Sequence, residues 1–151
     1  VSVLQEHFIS NLIRSKVLVA IDGYSNTQSA DAEKWLLFLP EGELHELGLL
    51  FSKYLLNSRG KHVMYFGQSM PGDELIHYCK EKRPAYLLTF FTAAYSEQQI
   101  VQYLEKLSAK IPTSTILAAG AQVYGMKPQW ANVRFLSNVN DLISIIGPAV
   151  K

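Results

Sequence analysis

From Lys34 onward the chain alternates short apolar runs with stretches of helical apolar spacing, and this alternation most constrains what it can fold into. Strands separated by whole helices cannot pair as hairpins; they pair in parallel, with each connecting helix packed across one face of the sheet. The candidate strands are Trp35–Leu39, His62–Phe66, Ala85–Phe91, Thr115–Ala119 and the short Val133–Leu136. Between the first two, Leu47, Leu50, Phe51, Tyr54 and Leu55 fall on one helical face, and Gly60 supplies the stop. A second helix starts near Pro71, carries Leu75, Ile76 and Cys79 inward, and ends before Pro84. A third opens with the capping box Ser96-Glu97-Gln98-Gln99 and continues through Ile100, Val101, Leu104 and Leu107. Residues from about 139 to 147, with Leu142, Ile143 and Ile146, close the pattern.

Parallel crossovers are right-handed, which leaves an α/β, Rossmann-like architecture: a doubly wound five-stranded parallel sheet in the flavodoxin-like order 2-1-3-4-5. At 151 residues, 48% of them hydrophobic and 18% charged, the chain can bury one core but not two ordinary ones. Ahead of that domain, assigned to residues 34–151, Leu4, Phe8, Leu12, Ile13, Val17 and Ala20 mark a separate amphipathic helix over about residues 3–21. Its apolar face needs a partner. The polar, turn-rich residues 22–33 read as a linker. The absence of an initial methionine and of a signal-peptide pattern suggests a fragment of a longer protein.

Lys and Arg number 14 against 13 for Asp and Glu, so no charge excess argues for DNA contact by this chain itself. A lone cysteine, Cys79, cannot form an intramolecular disulfide, and no apolar run reaches the roughly 20 residues that span a bilayer. A soluble, cytoplasmic protein without a membrane partner is the expectation.

Open α/β sheets hold ligands beyond the carboxyl ends of their strands, so the loops decide which ligand. After the first strand there is neither G-x-G-x-x-G nor a glycine-rich turn ending in Lys-Ser or Lys-Thr, which disfavours a phosphate cradle. A phospho-acceptor aspartate would close a central strand, but Leu39, Phe91 and Ala119 stand there. The first loop offers Glu43-Leu44-His45-Glu46-Leu47-Gly48 instead. A metal-binding histidine commonly donates its second ring N–H to a carboxylate, and Glu43 is placed for that role. Gly48, lacking a Cβ, lets a bulky group approach the following helix.

This hexapeptide resembles the D-x-H-x-x-G signature of cobalamin-binding domains, with Glu in place of Asp. The family's later Ser-x-Leu element and Gly-Gly pair correspond by spacing to Thr89-Phe90-Phe91 and Ala119-Gly120. The resemblance covers roughly residues 34–147. It implies that the nucleotide tail of cobalamin leaves the cobalt and enters a slot beside the sheet. His45 then becomes the lower axial ligand of cobalt, with Glu43 orienting it, the Thr89 hydroxyl near the tail, Phe91 among the cofactor-binding residues, and Ala119 and Gly120 at the slot. Thr for Ser keeps the hydroxyl, whereas Ala for Gly at position 119 narrows the slot.

The first helix is similar to the last helix of the four-helix cap in cobalamin-dependent regulators of the MerR type, including light-sensing ones. It carries the Glu6-His7 pair that such caps present to the corrin. The resemblance implies a non-enzymatic sensory domain holding adenosylcobalamin or methylcobalamin in a homo-oligomer. DNA is then contacted only through a domain outside this chain. A corrinoid carrier module of a methyltransferase or mutase is the alternative. Each residue also has an ordinary reading: His45 as a surface or cap histidine, Glu43 as a charge near a helix start, Thr89 as a strand threonine, Gly120 as a turn. Glu6 and His7 read equally as a charged helix face, Cys79 as core, and His62 and His77 as structural or exposed.

Overall fold

The structure, a computed structural model, describes residues 2–24 and 32–149. Residues 25–31, most of the predicted linker, lie outside them, as do the chain ends. The elements in chain order are α1 (Val3–Asp22), β1 (Lys34–Pro40), α2 (Leu47–Asn57), β2 (His62–Met70), α3 (Gly72–Lys82), β3 (Tyr86–Phe90), α4 (Glu97–Lys110), β4 (Thr115–Ala119), β5 (Val133–Phe135) and α5 (Val139–Ile146), with a single 3-10 turn at Ala121–Val123. The sheet order is β2-β1-β3-β4-β5, every pair parallel, as the spacing of strands and helices predicts.

Three layers follow from strand alternation. On one face Leu36, Phe38, Leu87, Phe91, Ile116 and Ala118 pack with residues of α3 and α4, among them Leu75, Ile100 and Leu104. On the other Leu37, Leu39, Leu88, Leu117 and Ala119 pack with Leu49 and Leu56 of α2 and Leu142 and Ile146 of α5. Central β1 is covered on both sides, which is why Trp35–Pro40 reads as an unbroken buried run.

Two elements differ from the sequence expectation. β2 continues past Phe66 to Met70, and its register against β1 shifts after Leu37 and again after Phe38. The extension survives without a hydrophobic signal because its polar atoms are satisfied by the β1–α2 loop. Ser69 Oγ accepts from Gly42 N–H at 3.1 Å, Ser69 N–H donates to the Glu43 carbonyl at 3.3 Å, and Gln68 Nε2 donates to the Leu44 carbonyl at 2.8 Å.

α1 forms as predicted, capped by Ser2 and Gln5, but its apolar stripe faces outward: Leu4 is 80% exposed and Phe8 70%. It meets α2 through its last turns, where Ile21 is buried and Tyr24, just beyond, meets Tyr54 edge to face at 5.8 Å. No helix among the described residues is long and apolar enough to cross a membrane.

Candidate functional site

β1 ends at Pro40 and the chain turns through Gly42, at φ +84°, bringing Glu43 N–H onto the Pro40 carbonyl at 2.9 Å. That turn sends the Glu43 side chain back into the molecule, where it is completely buried. Its two oxygens collect six N–H donors. Oε1 accepts from Leu44 N–H and His45 N–H at 3.1 Å each and from His45 Nδ1 at 2.6 Å. Oε2 accepts from the backbone N–H groups of Thr92, Ala93 and Ala94 at 2.9, 3.1 and 3.3 Å. One carboxylate thus ties the loop after β1 to the loop after β3.

Burial alone would raise the Glu43 pKa. Hydrogen bonds from the His45 side chain and from the backbone of Thr92, Ala93 and His45 outweigh it and bring the value down to about 2. At neutral pH Glu43 is therefore acceptor-only, so Nδ1 of His45 carries the proton shared with it. In the neutral ring that proton position leaves the lone pair on Nε2. The His45 side chain is 61% exposed, with its ring anchored at one nitrogen and open at the other. That combination fits a metal ligand.

Beside this loop lies a hollow of about 480 Å³ between the sheet, α2 and α5. Phe90, Ala119, Leu136 and Leu142 form its apolar lining together with Gly48 and Gly120, while Tyr124, Ser137, Asn138 and Val139 are exposed at its rim. Its size is that of a small-molecule pocket, typically about 300–1,000 Å³.

The predicted residues divide between this site and the rest of the molecule. His45 and Glu43 are joined directly, and Gly48, Ala119 and Gly120 line the hollow. Thr89 and Phe91 do not. Thr89 pairs with Ala118 and Phe90 with Ala119, so strand alternation puts Thr89 and Phe91 on the α3–α4 face and Phe90 on the hollow's face. The hollow as described is therefore lined from β3 by Phe90 and not by the Thr89 hydroxyl or by Phe91. Thr89 Oγ1 is buried without a hydrogen-bond partner.

Gly48 is also more constrained than a simple opening. A Cβ there would lie 2.6 Å from the Phe90 ring, so the glycine makes room for that ring. Gly120, at φ +106°, sits against the Phe91 backbone, and any Cβ would collide with the Phe91 carbonyl. Glu6 and His7 are exposed on α1, and their side chains form no hydrogen bond or ion pair among the described residues.

Two supports were not legible in the sequence. Tyr65 donates from its hydroxyl to Glu46 Oε1 at 2.6 Å, and Arg14 of α1 reaches Glu46 Oε2 at 3.5 Å, so the residue after His45 is held by both β2 and α1. Tyr95 donates to the Glu41 carbonyl at 2.5 Å and closes the loop from the β3 side.

No family model matches the chain. It is 30% identical over 103 residues to the HTH-type transcriptional repressor CarA of Myxococcus xanthus, a match covering 68% of this chain and 35% of that protein. The chain therefore spans about a third of the length of that curated relative. Among solved structures, a cobalamin-binding protein from Desulfitobacterium hafniense DCB-2 superposes with a TM-score of 0.65 at 19% identity, over 85% of this chain and 68% of the other. The monomethylamine corrinoid protein of Methanosarcina barkeri gives 0.65 at 12% identity over 91% and 65%. The methanol:cobalamin methyltransferase complex MtaBC of the same organism gives 0.62 at 17% over 85% and 52%. The resemblance carried by the histidine loop is thus met by the whole domain, whose fold is that of the cobalamin-binding domains.

Proposed function

We propose that this chain binds cobalamin base-off, with His45 Nε2 as the lower axial ligand of cobalt, and serves as the sensory domain of a MerR-type transcription regulator. The observation that carries the reading is the 2.6 Å contact between His45 Nδ1 and a fully buried, ionised Glu43, on a His45 side chain that is otherwise well exposed. A cobalt whose equatorial positions are filled by its macrocycle asks the protein for one axial nitrogen, and His45 supplies one. Glu43 fixes its orientation and raises its basicity. The hollow beyond Gly48 takes the displaced tail, with Phe90, Ala119 and Gly120 as its walls.

The identity with CarA supports a regulator rather than an enzyme. The cobalamin, as adenosylcobalamin or methylcobalamin, is then held as a signal rather than turned over. In this reading α1 is the last helix of a cap, Glu6 and His7 face the upper side of the corrin, and loss of an adenosyl group in light alters how protomers assemble. DNA is reached through a domain outside residues 1–151. If the intact regulator loaded with adenosylcobalamin assembles identically in darkness and after illumination, photosensing is wrong.

The test of binding is direct. Hydroxocobalamin mixed with the protein and desalted leaves a retained corrin band, which weakens in His45→Ala; no retention by the wild type rejects the proposal. The likeness to a corrinoid protein and to a methanol:cobalamin methyltransferase complex of Methanosarcina barkeri favours a second reading, a carrier module whose upper ligand is exchanged with a methyltransferase. Methyl transfer to or from the loaded protein by such a partner would select it.

A further inference from the structure

We infer that the hollow between β3, β4, α2 and α5 is selective for an apolar, benzimidazole-type base on the corrinoid tail over a purine base, and that Phe90 sets this preference. The inference rests on the corrinoid reading above and specifies the ligand class for its slot.

The inner surface of the hollow is hydrocarbon. Ala119, Leu136 and Leu142 are buried there, and Phe90 stands directly across the sheet from Ala119, whose single methyl leaves the ring space. Polar side chains near it are already committed or lie at the rim. Ser52 is buried, and its hydroxyl donates to the Gly48 carbonyl at 2.8 Å. Asn138 Oδ1 accepts from the N–H groups of Asn140 and Asp141 at the start of α5, and Ser137 and Tyr124 are exposed. The one buried hydroxyl of β3 without a partner, that of Thr89, is on the opposite face of the sheet.

A base entering this space gives up water and finds few hydrogen-bonding groups in return. Dimethylbenzimidazole presents an edge of two methyl groups and loses little. Adenine brings an exocyclic amino group and additional ring nitrogens, and each polar group buried without a partner weakens binding by about ten- to a hundredfold. Phe90 places its ring against Gly48 and lines the hollow, so an aromatic base there meets an aromatic neighbour. A small hydroxyl-bearing residue at the same position would supply a partner to a purine.

The experiment compares the affinities of hydroxocobalamin, its adenine-bearing analogue and cobinamide, which has no base, by spectral titration of the whole chain. The expected result is hydroxocobalamin binding at least about tenfold tighter than the adenine analogue. Phe90→Ser is expected to bring that ratio to within about threefold, the loss of roughly one unpaired-group penalty. Ala119→Ser, which puts a hydroxyl beside the ring, is expected to narrow the ratio as well and serves where Phe90→Ser does not fold. Equal affinity of the wild type for the two complete corrinoids overturns the inference. Full retention of the preference in folded Phe90→Ser removes Phe90 from it. Binding of cobinamide with a ratio of one refutes the base selectivity while leaving His45 ligation intact, whereas failure of all three corrinoids to bind refutes the underlying proposal.

Discussion

Replacing Glu43 by Gln keeps the shape of the side chain and removes its charge, which makes it the sharpest probe of the His45 loop. In the wild type six N–H donors converge on the two oxygens of a fully buried carboxylate. An amide turns one oxygen into an NH2 donor. Whichever way it is oriented, it opposes either His45 and its neighbours or the N–H groups of Thr92, Ala93 and Ala94. The depression of the Glu43 pKa from 4.5 to about 2 corresponds to about 3 kcal/mol of folding stability at neutral pH. Donors left unpaired in the variant cost about 1–3 kcal/mol each where the loop cannot relax. We therefore expect Glu43→Gln to lose about 3–5 kcal/mol in urea unfolding of the ligand-free protein at pH 7. The pH dependence follows from the sign of the shift. A folded pKa below the unfolded one gives stability that is complete above about pH 4.5 and disappears as the pH falls toward 2. The gap between wild type and variant should close over that window. A gap under about 1 kcal/mol at pH 7, or one unchanged between pH 6 and pH 2.5, would refute the view that Glu43 is an ionised buried tether.

Four further outcomes test separate parts of the site. Gly48→Ala should destabilise by about 1–3 kcal/mol because its Cβ meets the Phe90 ring, and Phe90→Ala in the same chain should remove most of that penalty in a double-mutant cycle. Gly120→Ala should lower the melting temperature by several degrees, since it combines φ +106° with a collision against the Phe91 backbone, and an unchanged melting curve would contradict this. Tyr65→Phe should cost about 1–2 kcal/mol in urea unfolding, because it deprives the shielded Glu46 carboxylate of a 2.6 Å hydrogen bond. Arg14→Ala, which breaks a longer pair at a half-exposed guanidinium, should stay within about 0.5 kcal/mol.

The fold was legible because each element declared its period. The unbroken apolar run of β1 implies burial on both faces, the i, i+3, i+4 apolar positions of α4 imply one buried stripe, and the crossover rule orders the strands, whereas on α2 the buried residues are Leu49, Leu50, Leu55 and Leu56 and Phe51 of the expected face is exposed. The contact between Glu43 and His45 was legible too, because two residues of separation in a tight loop leave few other partners. The Oε2 side of the same carboxylate was not. Its donors are backbone N–H groups about fifty positions away, and a backbone donor has no sequence signature. The end of β2 escaped for a related reason: Gln68 and Ser69 are fixed by the loop they brace, not by hydrophobic spacing.

Thr89 shows where spacing fails as a guide. Counting residues from His45 places the hydroxyl at the right end of β3, but a strand offers two faces and a shift of one residue exchanges them. The pairing of Phe90 with Ala119 fixes which face meets the hollow, and that pairing is a long-range fact. Its chemical consequence is large. A hydroxyl in the slot would accept or donate to a bound base, whereas a phenyl ring does neither and fills part of the volume. The same shift also accounts for Gly48, whose missing side chain is matched by the ring of residue 90 and would have little to accommodate had residue 89 pointed that way. Gly48 and Phe90 therefore act as one packing unit: the glycine at the start of α2 makes room for an aromatic ring on β3, and that ring lines the space between the sheet and α2 and α5.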